Sequence, residues 1–227
     1  MATYDLEEQE QIAELKAWWK QYGNLILGLL TAASLAVLAW QGWNWYQRNQ
    51  AAQASAIHAV LQKAIQDKDM QRVKAASGEM VEKFPATALA PLAALSAAKA
   101  FHDTGDAKTA KLQLAWVVEH GRDEVRDLAR LRLATLLIDE KAYDEALQHL
   151  ATPGSAAFAV RFADGRGDVL AAQGKKSEAR AAYQSALDKL IEAEKAPGEK
   201  NSLQDARANA AYRELLQLKL DSLGDGQ

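Results

Sequence analysis

The side chains best suited to chemistry in this chain are four histidines, His58, His102, His120 and His149, and they are scattered. A helical zinc site of the protease type needs two histidines one turn apart around a glutamate, and no such spacing occurs. Cysteine is absent, which removes disulfides, thiolate catalysis, Cys-ligated zinc and thioester lipidation together. No G-x-S-x-G turn frames a nucleophilic serine. Gly23, Gly28 and Gly42 stand apart in an apolar stretch rather than forming a phosphate-cradling loop. Arg166-Gly167-Asp168 spells an adhesion tripeptide, but the surrounding period is helical and puts Gly167 at a packing position. No catalytic residue, metal ligand or cofactor is therefore expected, and the chain reads as a non-enzyme. Its net charge of −3 supplies no basic excess for a phosphate backbone, so nucleic acid is not an expected partner.

With 49% apolar and 25% charged residues the composition is globular, but it is uneven. Five of the six tryptophans, Trp18, Trp19, Trp40, Trp43 and Trp45, fall in the first fifth of the sequence, whereas alanine dominates much of the rest. Between Lys20 and Arg48 no residue is charged. A helix from Tyr22 to Trp43 would rise about 32 Å, close to the roughly 30 Å hydrocarbon thickness of a bilayer. Trp18, Trp19 and Tyr22 precede it and Trp40, Trp43, Trp45 and Tyr46 follow it, the pattern of rings seated at the two membrane–water boundaries. The segment 21–47 is thus expected to be a transmembrane helix with the lipid bilayer as its partner. A cleaved signal peptide would have a shorter apolar core and a basic start, and the leader here is long and acidic. Lys16 and Lys20 before the span outnumber Arg48 after it, a slight bias that places leader 1–20 in the cytoplasm. Ile12, Leu15 and Trp19 sit at helical spacing, so the leader is expected to be an interfacial helix continuous with the span.

From about Ala51 the apolar period is helical, with no alternating β-branched run. Breaks at Asp67-Lys68-Asp69, Phe84-Pro85, Asp103 to Asp106, His120-Gly121, Asp139 to Lys141, Thr152-Pro153-Gly154, Gln173 to Lys175 and Ala196-Pro197-Gly198 predict helices of roughly 12–18 residues in antiparallel pairs. Gly167, Leu170, Gly174, Ala179, Tyr183 and Leu187 resemble a tetratricopeptide repeat. The small residues allow two helices to approach, and the larger ones fill the groove around that contact. Ala110, Ala146 and Ala179 mark the second helix of successive copies, at separations of 36 and 33 residues. Ala51 to Phe84 reads as a degenerate first copy, and Leu203 to Leu220 as a terminal helix covering the last through Leu203, Ala206, Ala210, Leu216 and Leu220.

The expected fold class is all-α: one N-terminal transmembrane helix, then a tetratricopeptide repeat-like α-solenoid over 48–221 and a flexible tail, 222–227. Stacked copies form a concave surface from their first helices, a surface that suits a polypeptide segment. The register points Lys99, His102, Asp103, Thr135, Asp139, Arg161, Asp164 and Asp168 towards it as a protein-binding groove. Each of these is also readable as part of a solvated helix face.

Glu8-Gln9-Glu10, and Leu15-Lys16-Ala17-Trp18-Trp19-Lys20-Gln21-Tyr22-Gly23 running straight into an apolar helix, resemble the start of the YfgM family, the ancillary subunits of the SecYEG translocon. The alanine-rich repeat region with its Phe84-Pro85 and Gly105-Asp106 turns is similar too. The resemblance implies a bacterial inner-membrane protein, single-pass, with its repeat domain in the periplasm. Its implied partners are the SecYEG translocon, the membrane-anchored periplasmic chaperone PpiD and exported polypeptides, with the protein assisting chaperones. An adaptor in another envelope complex, such as a pilus or cell-division machine, would share every feature except the leader.

Overall fold

The computed structural model of the chain describes residues 4–195 and 203–224. Among them there is no strand, and the chain divides into two compact units, residues 1–53 and 54–227. Helix α1 (Tyr4–Gln66) supplies the whole of the described first unit and runs on into the second.

In the first unit α1 is a lone helix with its apolar side chains outward. Leu25, Leu29, Leu30, Leu35, Val37 and Leu38 are all exposed, although they lie on every side of the helix. An 18-residue stretch reaches a mean hydropathy of 1.8 and is almost wholly unburied. In water such a surface would be strongly disfavoured, whereas hydrocarbon is its natural solvent. Thr31 returns its hydroxyl to the Leu27 carbonyl at 2.8 Å, so the polar group inside the run is satisfied by its own helix. Trp18 lies against Trp19 and Tyr22, with ring centroids 6.4 and 5.7 Å apart, and Trp43 lies 6.2 Å from Tyr46. All seven boundary aromatics are exposed. The leader residues Ile12 and Leu15, on the same continuous helix, are exposed as well.

The second unit begins with the end of α1, where Ala54, Leu61 and Ala64 enter a core. Lys68, at a positive φ of 54°, turns the chain into α2 (Met70–Lys83). The Asp69 side chain accepts the Arg72 amide and caps α2, which buries Val73, Ala76 and Met80 and stops at Phe84 before Pro85. Then come α3 (Leu89–Asp103) and α4 (Ala107–His120), α5 (Asp123–Asp139) and α6 (Tyr143–His149), and α7 (Ala159–Ala172) and α8 (Lys176–Lys195). Each of these pairs packs together, and α2 on α3, α4 on α5 and α6 on α7 stack one pair on the next. Gly105 and Gly174, both with φ near +80°, make the tight turns between α3 and α4 and between α7 and α8.

The spaced small residues lie at the helix contacts. Ala98 and Ala134 in the first helices, and Ala110, Ala146 and Ala179 in the second, are all essentially inaccessible to solvent. Around them Phe101, Leu114, Val117, Leu133, Leu137 and Leu150 fill the core. Gly167 is the tightest contact, since a β-carbon there would lie 2.3 Å from two carbons of the Tyr183 ring.

Two features differ from the sequence expectation. Helix α6 has only seven residues, because Thr152-Pro153-Gly154 follows and residues before a proline avoid the helical region. The chain from Ala151 to Ser155 is instead an ordered loop held by side chains of α5 and α7. The second difference is the C-terminal end. Helix α9 (Leu203–Ser222) covers α8 through Leu216 and Leu220, but Ala206 and Ala210 stay exposed. Ser222 ends α9, Leu223 packs on the cluster of α8 and α9, and the Gly224 carbonyl accepts a hydrogen bond from Arg180. Residues 222–224 thus continue from the end of α9 with contacts to α8. The break at Ala196-Pro197-Gly198 and residues 225–227 lie outside the described residues.

Candidate protein-binding clefts

The first helix of each pair places a stripe of side chains on one face, because residues three and four apart in a helix are neighbours. On α3 the stripe is Lys99, His102 and Asp103. On α5 it is Leu128, Leu131, Arg132, Thr135 and Ile138, and on α7 Arg161, Asp164 and Asp168. These stripes line two clefts. One, of about 370 Å³, joins α5 to α7 over a floor of Leu128, Leu131, Ile138 and Leu150. The other, of about 270 Å³, joins α3 to α5 over Ala98, Leu114 and Leu136. Arg132 and Thr135 line both, so the clefts adjoin.

Seven of the eight residues expected in the groove line these clefts: Lys99, His102 and Asp103 the second, Arg161, Asp164 and Asp168 the first, and Thr135 both. Asp139 is exposed and lines neither. Sequence reasoning missed Arg132 and Tyr212. Arg132 stands three residues before Thr135, so helical spacing alone would have found it. Tyr212 comes from α9, and no local pattern ties it to α7.

Charge in the clefts is largely paired. Lys99 Nζ lies 2.5 Å from Asp103 Oδ2, and that bond holds the exposed Asp103 carboxyl below its ordinary range. Asp164 is 9% exposed and is satisfied from α9, by Lys219 Nζ at 2.7 Å and the Tyr212 hydroxyl at 2.9 Å. The same ammonium reaches Asp168 at 2.7 Å, and the Tyr183 hydroxyl donates to Asp168 at 2.7 Å. This network closes one end of the first cleft and absorbs Arg166-Gly167-Asp168. Gly167 is buried, and Arg166 donates to the Leu150 and Ala151 carbonyls, which leaves no free loop for a receptor.

The network also sets an alkaline limit. Burial pushes the Lys219 ammonium down, but its bonds to Asp164 and Asp168 outweigh this and hold it above the usual 10.5. Burial first, then the neighbouring carboxylates, drive the Tyr183 and Tyr212 phenols well above 10. In all three cases the folded chain keeps its proton more tightly than the unfolded chain. The contribution is complete below about pH 10 and is lost as pH rises through the raised folded values. The melting temperature of the full chain should therefore fall steeply above about pH 10. A Tyr212→Phe, Lys219→Met double variant should start lower and show a shallower alkaline slope; an unchanged slope would clear the network of responsibility.

Among the described residues the histidines outside this network do not converge on a reacting centre. His149 is pushed down, first by burial, and His120 stacks on Trp116 with ring centroids 4.5 Å apart. Among the described residues no three His, Asp or Glu side chains gather in a cluster that could hold a metal.

Short helix pairs stacked through small residues, with an open cleft along their first helices, define a tetratricopeptide repeat-like protein, a protein-interaction fold rather than an enzyme. The family model described as a tetratricopeptide repeat-like domain matches residues 16–225. A Neisseria gonorrhoeae protein named ancillary SecYEG translocon subunit is 33% identical over 96% of this chain and 98% of its own length. Proteins of the same name from Haemophilus influenzae and Escherichia coli K12 are 31% and 29% identical, over 81% and 82% of this chain and 90% of theirs. The chain belongs to this family, the ancillary SecYEG translocon subunits with a tetratricopeptide repeat-like domain. Among the described residues one helix is long and apolar enough to cross a membrane, which fits a single-pass inner-membrane protein.

Proposed function

We propose that the chain is a membrane-tethered protein-binding module that associates with the SecYEG translocon and assists the periplasmic chaperone PpiD with exported polypeptides. In this reading leader 1–20 is cytoplasmic, 21–47 spans the inner membrane, and the repeat domain from 48 onward lies in the periplasm. The observation that carries the reading is the pair of adjoining clefts. They present apolar floors and polar rims over three successive helix pairs, a surface suited to an extended polypeptide. The relatives' shared name supports the translocon as the site of work.

Photo-crosslinking amino acids placed at Thr135 and Arg161 of the full chain in living cells should capture translocon subunits, a chaperone or chains in export. Capture of none of these from either position overturns the proposal. Protease added to intact spheroplasts should digest the repeat domain; complete protection would put that domain in the cytoplasm and reverse the orientation.

A further inference from the structure

Two guanidinium groups in the first cleft stand apart from the paired charges around them. Lys99 is matched by Asp103, and Asp164 and Asp168 share Lys219. Arg132 and Arg161, by contrast, have no carboxylate within ion-pair distance among the described residues. Arg132 uses one nitrogen on the Leu95 carbonyl at 3.4 Å, and Arg161 lies over the Phe158 ring at 5.8 Å. Lys219, bound behind the cleft-lining Asp164 and Asp168, together with Arg132 and Arg161 makes three cations to two carboxylates in this group. The surplus is positive in a chain whose net charge is −3.

We infer that the clefts accept an extended polypeptide segment in which aliphatic side chains alternate with acidic ones, with a side-chain carboxylate held by Arg132 and Arg161. This rests on the reading of the domain as a protein-binding module and specifies what that module recognises. Three features fit that occupant. The floor of Leu128, Leu131, Ile138 and Leu150 offers aliphatic contact and no charge. A guanidinium presents a planar fork of donors that matches a carboxylate and keeps its charge at any physiological pH. The sharing of Arg132 and Thr135 makes the clefts adjoin. A segment passing through both is therefore held along its length, and the carboxylate is that of a side chain rather than of a chain end.

The full chain in zwitterionic lipid nanodiscs, titrated into three labelled peptides capped at both ends, tests this. One peptide alternates leucine with glutamate, the second leucine with glutamine, the third leucine with lysine. Binding to empty nanodiscs is subtracted. The glutamate peptide should bind on the order of tenfold more tightly than the glutamine peptide, the scale of a charge-assisted hydrogen bond. The advantage should shrink as salt rises. It should collapse to within about twofold in Arg161→Gln, whose exposed side chain leaves the fold intact by circular dichroism, and in Arg132→Gln. Equal binding of the glutamate and glutamine peptides, or a preference for lysine, overturns the inference. If no peptide binds while crosslinkers at Thr135 still capture protein, the acidic segment is wrong and the protein-binding module stands. Loss of both takes down both.

Discussion

Replacing Gly167 with valine should lower the melting temperature of the full chain by roughly 5–10 °C, the scale of an overpacked core contact costing about 2–3 kcal/mol in a domain of this size. The first added carbon would lie 2.3 Å from both Cδ1 and Cε1 of Tyr183, far inside any ordinary non-bonded contact. The ring has nowhere to go. Tyr183 is 4% exposed, and its hydroxyl is anchored to Asp168 at 2.7 Å. A swing that relieved the clash would leave a buried hydroxyl without its acceptor, itself a cost of about 1–3 kcal/mol. Alanine at the same site should be milder. It meets the same ring but recovers about 1 kcal/mol of helix propensity relative to glycine. The clash can be isolated with a Gly167→Ala, Tyr183→Leu double variant, which should be more stable than the sum of the single changes implies. Strict additivity would mean that helices α7 and α8 part without resistance, and the close approach would not be what holds the last pair.

Gly167 also shows how far this fold is legible in its sequence. The spacing of one small residue in a first helix against Ala179 and Tyr183 in the next is local, and a helical pair repeats it every 33 to 36 residues. Helix packing then follows from the pattern, because ridges of large side chains need small neighbours to pass. The turns were legible for the same reason: Gly105 and Gly174 sit where the chain must take a positive φ. The first-helix stripes followed from periodicity, and seven of the eight groove candidates line a cleft. Asp139, on the same face one turn beyond Thr135, is the last residue of α5 and lines neither cleft. Partnerships across long sequence separations left no such trace. Lys219 reaches Asp164 and Asp168 across 55 and 51 residues, and neither end carries a local signal of the other. Asp127 was missed for a different reason. With Arg130 three residues on, it reads as a solvated pair on a helix surface, yet its side chain is wholly buried.

That burial makes Asp127→Ala the second change with a large expected effect, about 3–5 kcal/mol of lost stability, because a partner is removed from a buried charged cluster. Asp127 Oδ2 accepts the Gly154 and Ser155 amides, each at 2.8 Å, and Oδ1 accepts Gly154 again at 3.0 Å. Arg130 lies 3.4 Å from Oδ1, donates to the Thr152 carbonyl at 2.9 Å and lies over the Phe162 ring at 5.0 Å. One carboxylate therefore fixes the loop that ends α6 early and feeds α7. Alanine would leave two amides unmatched and the guanidinium without its anion. Asparagine keeps the shape but offers one acceptor oxygen instead of two, so Asp127→Asn should fall between the parent and Asp127→Ala. The loop also sets where α7 starts, two residues before Arg161 enters the cleft. Hydrogen exchange on the full chain should then show faster exchange at the 154 and 155 amides and through the first turn of α7, with α3 and α4 unchanged. Protection at 154 and 155 equal to the parent would mean that the backbone holds the loop without the carboxylate. The clefts would then owe their shape to helix packing alone.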